Sequence, residues 1–208
     1  MSNIINQHHF ELHLTVDLEV SNSSLENFTN FCTVAGIKPI VIGFDINVNK
    51  QVMTSDSYFC TLSEIYNIAS VQSALLEENG YTISRVKIEA DPSVILSKLD
   101  YCYVEIHLPC HTNALKENLN AVQNLTVPLK DNSFIVPHIS KNEFKQNTTF
   151  ITYRSKLLKD FFEFDKYVYD ALNDLKVLTP KADLSYEVCI YDTNEELDKQ
   201  WMTQHYDY

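Results

Sequence analysis

Phe10-Glu11-Leu12-His13-Leu14-Thr15-Val16-Asp17 is the stretch on which the reading of the fold turns, because a second copy of its pattern stands at Tyr101–Cys110 (YCYVEIHLPC). In the first copy Phe10, Leu12, Leu14 and Val16 alternate with Glu11, His13, Thr15 and Asp17, the period of a half-buried strand. In the second, Glu105-Ile106-His107-Leu108 echoes Glu11-Leu12-His13-Leu14, and the two histidines are 94 positions apart. A period close to half the chain length implies a duplicated domain and not a solenoid.

Working outward, each strand is followed by the same succession. After the first copy, Ser23 or Ser24 can cap a helix in which Leu25, Phe28 and Cys32 fall at helical spacing, and Gly36 suits its exit. The segments KPIVIGFDI and QVMTSDSYFC read as strands, a helix opens at Ser63 and stops at Gly80, and ISRVKIEAD alternates again. After the second copy come a helix through NALKENLNAVQNL, strands SFIVPHIS and TTFITYRS, a helix through KDFFEFDKYVYDALNDL, and the strand LSYEVCIYD. The expected class is therefore α+β: tandem duplicated ferredoxin-like (βαββαβ) repeats, residues 1–97 and 98–208, packed around a pseudo-twofold cleft. The boundary falls between Pro92 and Asp100, and the second repeat carries a carboxyl-terminal tail.

Composition narrows the function. Of 208 residues 45% are hydrophobic and 12% aromatic, enough for a packed core. Three glycines leave no room for a glycine-cradled phosphate loop or a dinucleotide fingerprint. The formal net charge of -12 repels a long nucleic acid, although a local cluster of Arg, Lys and His can still hold a small anion. Five cysteines without CxxC spacing read as buried thiols of a reducing compartment. Without a signal-like amino terminus or a membrane-length apolar run, the expectation is a cytoplasmic protein with no membrane role.

The chemistry is expected on the polar strand faces. Glu11, His13 and Thr15 share one face of the first strand, Arg85, Lys87 and Glu89 one face of the last strand of that repeat. Glu105 with His107, and Thr152 with Arg154, do the same in the second repeat, where Glu187 alternates against the apolar Tyr186, Val188 and Ile190. If the faces oppose each other, histidines, cations and carboxylates meet in one cleft. The alternative is an open, solvated face on which Arg85, Lys87, Arg154, Glu89 and Glu105 are cross-strand ion pairs. His107, Cys110 and His111 form a weaker zinc candidate without a fourth ligand, so no metal and no cofactor is expected.

His13-Leu14-Thr15-Val16 resembles the His-x-Thr-x motif of the two-histidine phosphoesterases, and His138-Ile139-Ser140 resembles its second copy. That resemblance implies metal-independent phosphodiester hydrolysis, with His13 paired to His107 or His138 as acid and base and Thr15 on phosphate. Pro109 stands where a second motif at His107 would need its hydroxyl residue. The whole chain also resembles an uncharacterised bacterial protein family through Met53-Thr54-Ser55, Arg85-Val86-Lys87-Ile88-Glu89, His138 to Asn142, Phe150 to Arg154 and Tyr191 to Asn194. The resulting expectation is a binder of a small anionic, phosphorylated ligand. Its catalytic candidates are His13, His107 and His138; its ligand-binding candidates are Thr15, Arg85, Lys87, Glu89, Glu105, Thr152 and Arg154. The alternative is a non-catalytic protein-interaction module that docks through the tail DKQWMTQHYDY.

Overall fold

In the computed structural model the first alternating stretch forms strand β1 (His8–Asp17), with Phe10, Leu12 and Leu14 fully buried. The residues described are 7–44, 47–96, 100–128, 134–144, 148–156, 159, 164–179 and 185–198. Ser24 caps α1 (Leu25–Ala35) by accepting from the Asn27 N–H, and the chain leaves through Gly36 at φ 70°, where a Cβ would be strained. Strands β2 (Pro39–Phe44), β3 (Asn47–Thr54) and β4 (Asp56–Cys60) follow. The single strand expected over 51–60 is broken at Ser55, whose N–H donates to the Lys38 carbonyl. Helix α2 (Leu62–Glu78) starts ahead of Ser63, because Thr61 and Glu64 close a capping box. Next come β5 (Thr82–Ala90) and the short α3 (Ser93–Leu96).

The second half contains β6 (Tyr103–His111), α4 (Thr112–Glu117) and α5 (Leu119–Gln123), then β7 (Val127–Pro128), β8 (Phe134–Ile135), β9 (His138–Asn142) and β10 (Thr148–Ser155). One helix is expected where α4 and α5 lie. It breaks at Asn118, whose side-chain amide donates to the Ala114 carbonyl and competes with the backbone ladder. The strand expected over SFIVPHIS is likewise two pieces around Val136 and Pro137, since proline has no N–H for a ladder. A π-helical turn (Asp165–Tyr169), α6 (Asp170–Asp174), β11 (Ser185–Asp192) and a 3-10 turn (Glu195–Asp198) complete the described chain. Phe161 and Phe162 of the expected helix, and the tail after Asp198 with its Trp201, lie outside the described residues.

The sheet has the order β3-β2-β9-β10-β6-β11-β5-β1-β4, and β3 also pairs with β1. Eight strands thereby close into an antiparallel barrel, while β4 extends the β1 edge beyond β3. This corrects the expected class. The chain is not a pair of ferredoxin-like α+β repeats facing each other across a cleft, but one closed barrel with few helices. Two seams account for the difference. β5 pairs with β11 (Val188 opposite Ala90), and β2 pairs with β9 (Gly43 opposite Lys141), so strands from either side of residue 97 share hydrogen bonds. Closure removes the unpaired N–H and C=O groups that two separate sheets would leave at their edges.

Closure also sets where the core lies. The apolar positions of the strands, among them Leu14, Ile88, Ile106, Ile151 and Val188, point outward and pack with Phe28 and Cys32 of α1, Ile65 and Leu76 of α2, and Leu172 of α6. The polar positions point into the barrel. Among the described residues no helix is long and apolar enough to cross a membrane.

Candidate functional site

Alternation on eight strands delivers one side chain in two to the lumen, and here that set encloses a cavity of about 480 Å³. β1 contributes Glu11, His13 and Thr15, β5 contributes Arg85, Lys87 and Glu89, and β6 contributes Glu105, His107 and Pro109. Thr152 and Arg154 enter from β10, Glu187 from β11, and Asp198 from the turn after it. Register explains the grouping. On the β1–β5 ladder Thr15 faces Arg85, His13 faces Lys87 and Glu11 faces Glu89, while on β10–β6 Arg154 faces Glu105 and Thr152 faces His107.

Deep in the cavity the cations are all paired. Arg85 Nε donates to Asp192 Oδ1 at 2.9 Å and its Nη1 to Asp198 Oδ1 at 2.9 Å, and Nη2 reaches the Tyr103 hydroxyl at 2.8 Å. Arg154 donates to Glu105 Oε1 and to Asp198 Oδ2, both at 2.6 Å, with its guanidinium carbon 4.0 Å from the Tyr103 ring centroid. Lys87 Nζ binds Glu105 Oε2 at 2.7 Å and also touches Glu89 Oε1. Burial alone would neutralise these groups, yet their opposite charges win. Arg85, Lys87 and Arg154 hold their protons more firmly than usual, Glu105 and Asp198 stay well ionised, and Lys87 with His13 pulls Glu89 down to about 2.

Nearer the mouth sit two imidazoles, each against carboxylates. His13 Nε2 lies 2.7 Å from Glu89 Oε2 and 3.7 Å from Glu11 Oε2, and its Nδ1 is buried without a hydrogen-bond partner. His107 Nε2 lies 3.1 Å from Glu187 and 3.6 Å from Glu105, while its Nδ1 shares a 2.8 Å hydrogen bond with Thr152 Oγ1. Burial works against the His107 charge, but Glu187 and Glu105 outweigh it and raise its pKa well above the ordinary value. Burial, with repulsion from Glu187 and Glu89, raises that of Glu11, which His13 opposes.

Of the candidate residues, His13, His107, Thr15, Arg85, Lys87, Glu89, Glu105, Thr152 and Arg154 all line this one cavity. His138 shares the inward parity of Ser140 and Asn142 and is buried, but it does not line the cavity. Cys110 is buried with its thiol on the Leu108 carbonyl while His111 is exposed, so these two do not meet His107 as a zinc set. The cysteines are free thiols; burial pushes Cys32 and Cys110 up to about 12, which leaves both unreactive near neutrality. Sequence reasoning placed Glu187 on a polar strand face, where the cavity has it, and missed Gln51 and Asp198 as members of the site. Asp198 enters from a turn with no periodicity.

No protein-family model matches the chain, and no curated protein matches it. Among solved structures, the crystal structure of a candidate chlorite dismutase aligns over 88% of this chain and 95% of its own, at 8% identity and a TM-score of 0.31, a likeness that carries no argument here.

Proposed function

We propose that the barrel binds a small anionic molecule, phosphorylated or carboxylated, in its lumen, with His107 as the proton donor to it. The observation that supports this reading is convergence: nine residues nominated separately from strand alternation line one cavity, two histidines among them. The imidazolium at His107 is held between Glu187 and Thr152, and it donates to a ligand oxygen that takes the place of one of these two partners. The two-histidine phosphodiester reaction is the catalytic form of this proposal, with His13 on β1 and His107 on β6 and the strands β5 and β11 between them; it requires His13 free of a metal ion.

The lining sets a condition on the ligand. Five carboxylates (Glu11, Glu89, Glu105, Glu187, Asp198) accompany three fixed cations (Arg85, Lys87, Arg154), and each of those cations is already ion-paired. A bare dianion is repelled in such a lumen, so the ligand enters protonated or with a counter-cation. The test is a thermal-shift panel of linear and cyclic nucleotides, sugar phosphates and dicarboxylates, run on wild type and His107→Asn, once with a chelator and once with divalent cations. Stabilisation of wild type by one class, lost in His107→Asn, supports the reading; no stabilisation in either buffer overturns it.

A further inference from the structure

Three side chains near the mouth of the cavity aim ligand atoms at one point. Glu11, His13 and Glu89 each offer one, all within 4.8 Å of one another, from two strands held in register by the β1–β5 ladder. We propose that these three residues bind a divalent cation of the Mn²⁺, Fe²⁺ or Zn²⁺ type inside the barrel, deepening the preceding reading by supplying the counter-cation that its anionic ligand needs.

The donor set fits this class of ion. One imidazole nitrogen with two carboxylates suits a borderline transition cation, whereas an all-oxygen set would favour Mg²⁺ or Ca²⁺. Glu89 divides its two oxygens: Oε1 lies against Lys87, and Oε2 is the one 2.7 Å from His13 Nε2. The lysine therefore orients Glu89 without covering the oxygen that faces the site, the role that outer partners play around metal ligands. Glu11 is half-exposed at 46% and lines the way in from solvent, which gives an ion an entry path. Three ligands on one side leave the remaining coordination positions open to the lumen, as in sites that bind a substrate on the metal.

A neighbouring group, Glu89 with Glu105 and His107, also brings ligand atoms within 4.8 Å. There the Lys87 ammonium already sits against both carboxylates, so a cation occupies the space and the site is not available. Charge points the same way. Among the described lining residues the five carboxylates outnumber the three fixed cations and the His107 imidazolium together, so the lumen is net negative and favours a cation. A phosphate or carboxylate oxygen can then complete the coordination shell.

The deciding experiment uses Mn²⁺ alone on the chelator-treated full chain. It measures binding by the loss of the free-Mn²⁺ paramagnetic resonance signal and by calorimetry, for wild type, Glu11→Gln, His13→Gln and, as a control outside the cavity, Glu26→Gln on the exposed face of α1. The expected result is one ion per chain, weakened at least about tenfold in Glu11→Gln and His13→Gln and retained in Glu26→Gln. No binding by wild type overturns the proposal, as does binding that Glu11→Gln and His13→Gln leave unchanged. Glu11 is half-exposed and its ion pair with His13 is long at 3.7 Å, so its variant reports on binding more than on folding. Anion binding in the chelated arm of the ligand panel would leave the ligand reading standing while the metal proposal falls.

Discussion

Arg85 and Asp192, 107 residues apart, form a two-pronged pair: Nε to Oδ1 at 2.9 Å and Nη2 to Oδ2 at 2.5 Å, with both side chains almost wholly buried. The pair ties the end of β11 to β5 beside the seam that closes the barrel. Removing Asp192 leaves the buried Arg85 charge with Asp198 alone, and breaking a buried pair costs roughly 3–5 kcal/mol. Asp192→Ala is expected to lose that much stability in urea unfolding. A loss below about 1 kcal/mol would mean that Asp198 alone keeps Arg85 satisfied.

His107 gives a stability difference of defined sign. Its folded-state pKa is raised well above the ordinary 6.5 by Glu187 and Glu105. The imidazolium therefore stabilises the fold in full below that ordinary value, and the contribution is lost as pH rises through the folded value. The urea midpoints of wild type and His107→Gln, measured from about pH 5.5 to about 9.5, should differ most at the acid end and converge at the alkaline end. A constant difference would place the effect in packing and not in charge.

Much of the site was legible because strand alternation is local. Thr15, Arg85, Lys87, Glu89, Glu105 and Thr152 fall on the polar parity of their strands, and that parity alone sends them to the lumen. The barrel was not legible, since its seams join β5 to β11 and β2 to β9 across about a hundred residues of chain, and a polar strand face looks the same beside a cleft as inside a closed wall. The same locality explains why one strand is expected over 51–60 where the chain forms the end of β3 and the whole of β4. No residue type marks a break at Ser55, whose backbone is claimed by Lys38, a contact no local pattern records.

Thr61 marks where α2 begins, and its loss should be felt there. Its hydroxyl accepts from the Glu64 N–H while Glu64 Oε2 accepts from the Thr61 N–H at 2.7 Å. Thr61→Ala is expected to cost about 1 kcal/mol, while Thr61→Ser should be nearly neutral. Hydrogen exchange of the first-turn amides should accelerate in the alanine variant alone; equal exchange in both would show that packing of Ile65 and Ala69 sets the start of the helix.

Tyr103 separates two contributions within one side chain. Its hydroxyl donates to Asp192 Oδ2 at 2.7 Å and accepts from Arg85 Nη2 at 2.8 Å, while its ring lies beneath the Arg154 guanidinium. Tyr103→Phe removes only the hydroxyl, leaving two buried charged groups one partner short, at a cost of about 1–3 kcal/mol. Tyr103→Leu also removes the ring face, adding about 1–2 kcal/mol for the lost cation–π contact in a desolvated setting. In an Arg154→Met background the extra cost of Leu over Phe should shrink, because the cation that used the ring is gone. If the difference persists there, the ring acts by filling volume and not by holding Arg154.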